Sequence, residues 1–356
     1  MTATLIRPHY PALDGLRGVA ILLVVIYHNF GFISQSYFGW LGVDLFFVLS
    51  GFLITDILLR TVNDPNFLSN FYMRRVLRIF PLYSVSLLLF LFIVAPLTSD
   101  KIEWSYYKEN QVYLWTYLQN WLYIFKEPGS AAILNHYWSL AVEEQFYIFW
   151  PLVILLLKKP KYLLAFIGIL LIAVIVFRFV LWFYQVEDLA YYNLYTFTRI
   201  DGICIGCMVA LLMRMNMNFI RNYTFLIVLV FAAVNFGFYF INRENDYSFP
   251  YIALVGYTTF AMILGLLVYE AVTRETRLLN MIFGFGLLKF FGRISYGLYI
   301  IHWPVYLLLS AYYSDTSGIS DKLLLSLAAT GIAILISWLS YRYFERYFLR
   351  LKSSYS

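Results

Sequence analysis

Long apolar segments separated by short polar connections dominate the pattern of this chain. The apolar segments predict ten membrane-spanning helices, at residues 16–34, 41–60, 80–97, 140–157, 162–185, 199–214, 222–241, 251–271, 295–311 and 323–345. A helix needs about 20 apolar residues to cross a bilayer, whereas a barrel strand shows about ten residues of alternating hydrophobicity. The pattern therefore predicts an all-α fold, a polytopic transmembrane helical bundle.

The composition agrees with this fold class. The chain is 62% hydrophobic and only 13% charged, which excludes an ordinary soluble domain. Its 21% of aromatic residues fit the interfacial belts of a membrane protein. We expect residues 1–356 to form a single transmembrane domain with no appended soluble domain.

The positive charges predict the orientation of the chain. With the N-terminus in the cytoplasm, 19 of the 26 Lys and Arg residues fall on the cytoplasmic side and six fall outside. This asymmetry favours cytoplasmic termini at both ends and an even number of spans. The net charge of +6 is therefore explained by topology, and we expect no nucleic-acid partner. Arg178 falls within a span, near the outer interface, where its long side chain could extend to water.

The first span carries the most informative pair of polar residues. Arg17 and His28 are eleven positions apart, which places them on one helix face and about 16 Å apart along the axis. Ionisable residues inside a membrane are functional candidates because they are costly to bury. The pair predicts a helix that lines a polar path.

A second cluster of charge follows the second span. Arg74, Arg75 and Arg78 stand three or four positions apart and can converge on a helix. Arginines in such an arrangement favour bidentate binding of phosphate. The alternative is a cytoplasmic anchor in which Pro81 opens the next helix, and the sequence leaves both readings open.

Two adjacent acids enter the fourth span. Glu143 and Glu144 would be expensive there without a polar partner or cavity. Adjacent residues on a helix point about 100° apart, so we expect only one of them to face the interior. Alternatively, both belong to an interfacial helix start, where acids favour the positive end of the helix dipole.

Other polar segments give weaker signals. Residues 98–139 predict re-entrant or interfacial helices, and their aromatic residues suit a sugar-binding surface or an interfacial belt equally well. Cys204 and Cys207 fit a helix–helix contact better than a redox or metal site, because no second ligand pair accompanies them.

Two more short segments, at residues 199–201 and 295–302, carry candidate polar residues. Arg199 and Asp201 do not share a helix face, so we do not expect them to pair. Ser295, Tyr299 and His302 do share one face. A single histidine in such a position often forms a hydrogen bond between helices.

Several of these motifs together resemble the acyltransferase-3 family of bacterial integral-membrane acyltransferases, over nearly the whole chain. The matching segments are Leu13-Asp-Gly-Leu-Arg17 with His28 ten residues beyond it, Gly42-Val-Asp-Leu-Phe-Phe-Val-Leu-Ser-Gly-Phe52, Arg74-Arg-Val-Leu-Arg78-Ile-Phe-Pro81, Trp138-Ser-Leu-Ala-Val-Glu-Glu-Gln-Phe-Tyr147, Arg199-Ile-Asp201 and Ser295-Tyr-Gly-Leu-Tyr-Ile-Ile-His302-Trp-Pro304. One departure is Glu345-Arg-Tyr347, where relatives often have Glu-Lys-Pro. We also expect no extracytoplasmic esterase-like domain, which some relatives carry.

The resemblance implies a function. It implies a ten-helix domain in the bacterial cytoplasmic membrane that transfers an acyl group, usually acetyl, to a hydroxyl of a cell-surface or exported glycan. The donor would be cytoplasmic acyl-CoA, acetyl-CoA in the commonest case, and the partners would be the lipid bilayer and a glycan or glycolipid acceptor. No metal is implied.

The resemblance also assigns candidate residues. Arg17 and His28 would be catalytic, and Arg74, Arg75, Arg78 and Arg17 would hold the phosphates of coenzyme A. Apart from the resemblance, we expect Glu143 or Glu144 to act in catalysis by orienting His28 or binding the acceptor. Substrate-binding or supporting roles fall to Asp44, Ser50, Ser139, Tyr147, Arg199, Asp201, Ser295, Tyr299 and His302.

Two questions stay open at the level of sequence. His28 could act as a base on the acceptor hydroxyl, or it could itself be acylated for a moment. A proton-coupled carrier or flippase would also need buried His, Glu and Arg, and an acyltransferase could act on a lipid or small molecule. The oligomeric state is not predicted.

Overall fold

The computed structural model describes residues 10–126, 132–186, 188, 190–215, 218–241, 248–273, 277–313 and 318–355. Over these residues the chain is helical and forms no strand. Eight helices are long and apolar enough to cross a membrane. The all-α prediction is therefore confirmed, while the count of ten spans and the orientation of the termini stay predictions.

Ten principal helices carry the architecture. They are α1 (Pro11–Asn29), α2 (Leu41–Thr61), α3 (Phe67–Leu88), α4 (Trp138–Leu157), α5 (Pro160–Phe183), α6 (Asp201–Arg214), α7 (Asn218–Ile241), α8 (Tyr257–Thr273), α9 (Gly286–Tyr312) and α10 (Ile319–Ser340). Three of them are extended by π-helical and short α-helical turns: α3 by Leu89–Val94 and Ala95–Leu97, α8 by the preceding Ser248–Gly256, and α10 by Tyr341–Glu345 and Arg346–Leu351. Shorter helices lie at Ser34–Trp40, Ser105–Glu109, Gln111–Trp115, Gln119–Phe125, Ala132–Tyr137, Ala190–Asn193, Thr196–Arg199, Arg277–Phe283 and Lys352–Tyr355.

Two predicted spans coincide with helices outside the eight candidates. Helix α6 has 14 residues, which gives a length of about 21 Å and is short for a full crossing. Helix α7 contributes the apolar stretch Tyr223–Phe238. Each predicted span therefore corresponds to a helix. Over the described residues, two of these helices, α6 and α7, do not meet the length and hydropathy expected of a membrane-spanning helix.

The start of α3 corrects a prediction. Of the two readings that the sequence leaves open, the one in which Pro81 opens the helix is wrong, because α3 begins at Phe67 and Pro81 lies inside it. A proline is tolerated in such a helix when neighbouring groups bind the carbonyls around it. The Tyr296 hydroxyl on α9 donates a hydrogen bond of 2.7 Å to the carbonyl of Ile79 and so attaches this part of α3 to α9, whereas the carbonyl that loses its helical donor to Pro81 is that of Leu77.

Close backbone contacts place α1 at the centre of the bundle. A Cβ atom on Gly15, Gly18 or Gly292 would collide with the backbone of a neighbouring segment, so α1 approaches α9 more closely than larger residues would permit. Gly51 of α2 and Gly206 of α6 make a second such contact. Cys204 and Cys207 are buried on α6 as free thiols, in line with the packing interpretation.

The segment between α3 and α4 returns into the bundle. The hydroxyl of Tyr83, in the middle of α3, donates a hydrogen bond of 2.7 Å to the carbonyl of Leu114. Tyr107 is fully buried, and burial raises the pKa of its hydroxyl well above its ordinary value, so it stays protonated. Its oxygen accepts a hydrogen bond from the amide of Leu134 at 3.1 Å. The segment therefore braces the turn that leads into α4 and does not form a separate domain.

Candidate active site

A cavity lined by cationic side chains lies between α1, α2, α3, α4 and α9. Its volume is about 200 Å³, and we call it the basic cavity. The cations on its wall are Arg17 of α1, Arg75 and Arg78 of α3, and Lys352, which follows α10. Glu143 is the acid on the same wall. Cations placed so close together repel one another, so the cavity is electrostatically prepared for an anion.

Neighbouring groups hold two of these arginines in place. Arg17 donates a hydrogen bond of 3.3 Å from Nη2 to Oγ of Ser295, which itself donates to the carbonyl of Gly292 at 2.9 Å. The guanidinium of Arg75 lies 5.6 Å from the ring centre of Phe71 and 5.4 Å from that of Tyr147. Contacts of this kind orient a guanidinium while leaving its edge available for a bidentate partner.

The two adjacent acids of α4 point in different directions, but the prediction that only one of them faces the interior is wrong, because each lines a cavity within the bundle. Glu143 faces the basic cavity beside Ser50 and Tyr147, whose hydroxyls contact each other. Glu144 lines a separate cavity beside Tyr117, and its Oε1 has no hydrogen-bond partner among the described residues. Of the two acids, Glu143 is therefore the one that could meet a ligand of the basic cavity.

Arg74 and Lys352 differ from what the sequence suggested. Arg74 is buried outside the wall of the basic cavity, and its Nε donates a hydrogen bond of 2.5 Å to the carbonyl of Tyr355. Lys352 stands on the wall although no motif marked it, because it is brought there only by the fold. The role of Arg74 in binding phosphate stays a prediction.

A second cavity lies at the other end of α1. It has a volume of about 480 Å³ and is lined by His28, His136, Arg199 and several aromatic rings, and we call it the histidine cavity. Val43 and Tyr299 line both cavities, so these two side chains form a partition between them. Helix α1 thus carries Arg17 to one cavity and His28 to the other.

Three histidines converge beside the histidine cavity. The ring centres of His28 and His302 are 5.1 Å apart, those of His136 and His302 are 5.2 Å apart, and those of His28 and His136 are 6.2 Å apart. His136 was not among the predicted site residues, because it lies in the turn before α4, where helical periodicity gives no signal. Among the described residues, no group of three or more His, Cys, Asp and Glu has a geometry that could hold a metal ion.

The hydrogen bonds assign the hydrogens of the His28–His302 pair. Nδ1 of His302 lies 2.9 Å from the carbonyl of Leu298, which can only accept, so this nitrogen donates. In the neutral ring Nε2 of His302 must then accept, and it lies 3.0 Å from Nδ1 of His28. Nδ1 of His28 therefore carries the hydrogen, and its Nε2 keeps a lone pair that can act as a base or nucleophile.

Two buried ion pairs support the walls around this cavity. Arg199 binds Asp44 at 2.6 Å, and its guanidinium lies 4.0 Å from the ring centre of Tyr257. Arg178 binds Asp201 at 2.8 Å. As predicted, Arg199 and Asp201 do not pair with each other.

The environment of Arg178 overturns an expectation. We expected it to extend to the interface, but its side chain is fully buried and bound to Asp201. A buried charge is stable only with a partner and further hydrogen bonds. Thr258 supplies one of these, since its hydroxyl donates to Asp201 at 2.6 Å. The pairing could not be read from the sequence because Arg178 and Asp201 lie on different helices.

Ser139, on the wall of the basic cavity, helps to hold the partition residue Tyr299 in place. Their hydroxyls lie 2.5 Å apart, and the Tyr299 hydroxyl is also 2.6 Å from the carbonyl of His136. The carbonyl must accept from Tyr299, so Ser139 donates to the tyrosine oxygen. The ring of the partition is thereby fixed against the turn that carries His136.

Comparison with known proteins agrees with the motifs. The sequence profile of the acyltransferase-3 family, described as an acyltransferase domain, matches residues 10–342. The peptidoglycan O-acetyltransferase OatA of Listeria monocytogenes is 30% identical over 368 residues, which are 95% of this chain and 56% of that protein. A proposed peptidoglycan O-acetyltransferase of Bacillus subtilis, YrhL, is 30% identical over 360 residues, 95% of this chain and 54% of that protein.

The relatives are longer than this chain, and none of the solved structures matches it significantly. A proposed O-acetyltransferase of Staphylococcus aureus strain COL is also 30% identical, over 95% of this chain and 57% of its own length. The chain thus spans little more than half of each of these relatives. Because the family profile covers most of the chain, the protein belongs to the acyltransferase-3 family, as its motifs predicted.

Proposed function

We propose that this protein transfers an acyl group from acyl-CoA, acetyl-CoA in the commonest case, to a hydroxyl of a glycan on the other side of the bacterial cytoplasmic membrane. The observation that carries the proposal is the arrangement of two cavities along α1. The basic cavity would face the cytoplasm and the histidine cavity the outside, in agreement with the predicted orientation. Val43 and Tyr299 separate them.

The basic cavity suits the donor because coenzyme A carries several phosphates. Arg17, Arg75, Arg78 and Lys352 supply charge-assisted hydrogen bonds, and guanidinium groups match phosphate in a bidentate manner. Glu143 stands on the same wall, beside Ser50 and Tyr147, where it could meet the uncharged pantetheine arm. The thioester would then point to the partition.

The histidine cavity suits the chemistry of transfer. In a direct reaction, Nε2 of His28 would take the proton of the acceptor hydroxyl while the oxygen attacks the thioester carbon and the C–S bond breaks. In a two-step reaction, Nε2 would attack the thioester itself and carry the acyl group to the acceptor. Both reactions use the lone pair that the His302 hydrogen bond leaves on His28.

The acceptor is proposed from the relatives and from the wall of the cavity. OatA of Listeria monocytogenes is named for peptidoglycan, which is a glycan outside the cytoplasmic membrane. Trp138, Tyr257 and Trp303 line the histidine cavity, and aromatic faces of this kind fit the apolar faces of sugar rings. Peptidoglycan or a related cell-surface glycan is therefore the acceptor class that we propose.

The donor half of the proposal is tested by comparing coenzyme A with pantetheine, which lacks the phosphates. Purified protein in detergent should gain thermal stability with coenzyme A and much less with pantetheine, because ligands stabilise the folded state in proportion to their affinity. Acetyl transfer from radiolabelled acetyl-CoA to muramidase-digested peptidoglycan tests the acceptor half. A protein that is stabilised by neither compound and releases no coenzyme A would contradict the proposal and favour a carrier.

A further inference from the structure

The third histidine of the cluster, His136, has a ring nitrogen that the reactions proposed above do not use. Its Nε2 lies 3.3 Å from the carbonyl of Ile300, so this nitrogen carries the hydrogen and donates. In the neutral ring, Nδ1 then holds a lone pair. Nδ1 is buried and has no hydrogen-bond partner among the described residues.

The ring nitrogens of the other two histidines, His28 and His302, are used in other ways. His302 uses Nδ1 for the carbonyl of Leu298 and Nε2 for His28, so it has no nitrogen left for a substrate. His28 has a lone pair on Nε2, but that lone pair would form the bond to the acyl group in a two-step reaction. An acylated His28 could therefore no longer accept a proton, and the second step would need another base.

The position of His136 fits that need. It lines the histidine cavity together with His28, and the two ring centres are 6.2 Å apart. Its turn is fixed on both sides, since its own carbonyl accepts from Tyr299 at 2.6 Å and the next carbonyl, of Tyr137, accepts from Gln119 at 2.8 Å. Nδ1 is covered by its neighbours, so an acceptor hydroxyl reaches it only when the adjoining wall of the cavity shifts on binding. A buried lone pair without a partner is costly, and that hydroxyl would satisfy it.

We propose that His136 is the general base that activates the acceptor hydroxyl, and that His28 carries the acyl group on Nε2. This inference rests on the proposed acyltransferase function. In the first step Nε2 of His28 attacks the thioester, the C–S bond breaks, and coenzyme A leaves as the thiolate. The acylated ring keeps its hydrogen on Nδ1 and is cationic, which balances the charge of the thiolate.

In the second step the acceptor hydroxyl gives its proton to Nδ1 of His136, and its oxygen attacks the acyl carbon. The bond from that carbon to Nε2 of His28 breaks, and its electron pair returns to Nε2. The products are the ester, neutral His28 and protonated His136, which then releases the proton to water. Water itself could replace the acceptor, with hydrolysis of the acyl group as the result.

The test separates the two steps with the full chain in detergent. Wild type and His136→Gln are incubated with radiolabelled acetyl-CoA, excess donor is removed, and the loss of label from the protein is followed in water and with chitotriose as acceptor. Glutamine can still donate to the carbonyl of Ile300 but has no basic nitrogen. We expect His136→Gln to become labelled like wild type and to lose the label about 100-fold more slowly, the range expected for general base catalysis.

Further variants guard against a loss of folding. His136→Asn places an amide near the former Nδ1 and should also retain the label, and stabilisation by coenzyme A reports that each variant is folded. Loss of label from His136→Gln at the wild-type rate would overturn the inference. So would a folded variant that is never labelled, because His136 would then act before the second step. A wild type that transfers acetyl without becoming labelled would overturn it too, and would leave the proposed function standing.

Discussion

The two cavities differ in how they use charge. In the basic cavity, four cations (Arg17, Arg75, Arg78 and Lys352) share the wall with one acid, Glu143, and the carboxylates of Asp14 and Glu345 lie near enough to act on Arg17 and Arg78. In the histidine cavity, Arg199 is bound to Asp44, and a hydrogen bond links His28 to His302. The basic cavity suits the binding of an anion. The histidine cavity presents neutral imidazole nitrogens that can accept a proton. Under the proposed function, a single helix would serve donor binding at one end and chemistry at the other.

Substitution of His28 should give the largest effect and should show that the cavities are separable. His28→Ala removes the lone pair on Nε2, so we expect the rate of acetyl transfer to fall by about 10³-fold or more. Stabilisation by coenzyme A should stay at the wild-type level because His28 does not line the basic cavity. The transfer rate and the thermal shift are measured on the same preparation.

Lys161→Gln is a suitable control for preparation and handling, since Lys161 lies at the start of α5, remote from both cavities. A His28→Ala protein with the wild-type rate of transfer would remove His28 from the mechanism. A variant that loses coenzyme A binding as well would show that the cavities are coupled.

Removal of the buried Asp44 charge should be the next largest effect, on stability. Asp44→Asn leaves Arg199 as an unpaired buried cation, and breaking a pair of this kind costs about 3–5 kcal/mol in the free energy of unfolding. The double variant Asp44→Leu, Arg199→Met should recover part of the loss, because no uncompensated charge remains. Denaturation of the single and double variants measures this, and a single variant as stable as wild type would mean that the pair is open to water.

Substitution of Arg78 should have a smaller effect, confined to donor binding. Loss of one charge-assisted hydrogen bond costs about 1.5–3 kcal/mol, which corresponds to about 10-fold to 100-fold in affinity. We expect Arg78→Gln to weaken coenzyme A binding to this extent and to reduce its sensitivity to salt. Arg74→Gln is the matched control, because Arg74 lies in the same helix but off the cavity wall.

The comparison of these two arginines sharpens the picture of the basic cavity. Titration calorimetry with coenzyme A gives both affinities under one condition. An equal loss for the two variants would show that the whole cluster acts through its field and that the lining of the cavity does not matter. A loss for Arg74→Gln alone would contradict the assignment of the cavity wall.

The sequence predicted features that depend on neighbouring positions in one helix. The placement of Arg17 and His28 on one face of α1, and the divergence of Glu143 and Glu144, follow from helical geometry alone. The motif resemblance added the family, which the comparison with known proteins confirmed. These inferences needed no information about how helices meet.

Features that depend on contacts between distant segments were missed. Arg178 was placed at the interface because its partner Asp201 lies on another helix. Lys352 and His136 gave no periodic signal, yet the fold brings one to the basic cavity and the other to the histidine cavity. The sequence also leaves open whether Pro81 starts a helix or lies inside one, and the structure places it inside α3.

The partition formed by Val43 and Tyr299 has a consequence for the membrane potential of the cell. An energised membrane drives each unit charge with about 2.3 kcal/mol per 100 mV, so a continuous wet passage through the bundle would act as a leak. Tyr299 is anchored to Ser139 and to the carbonyl of His136, which keeps its ring across the passage. Under the proposed function, the ring must admit a small acyl group while it insulates against ions, and its tolerance for larger groups would set the chain length that the protein can export.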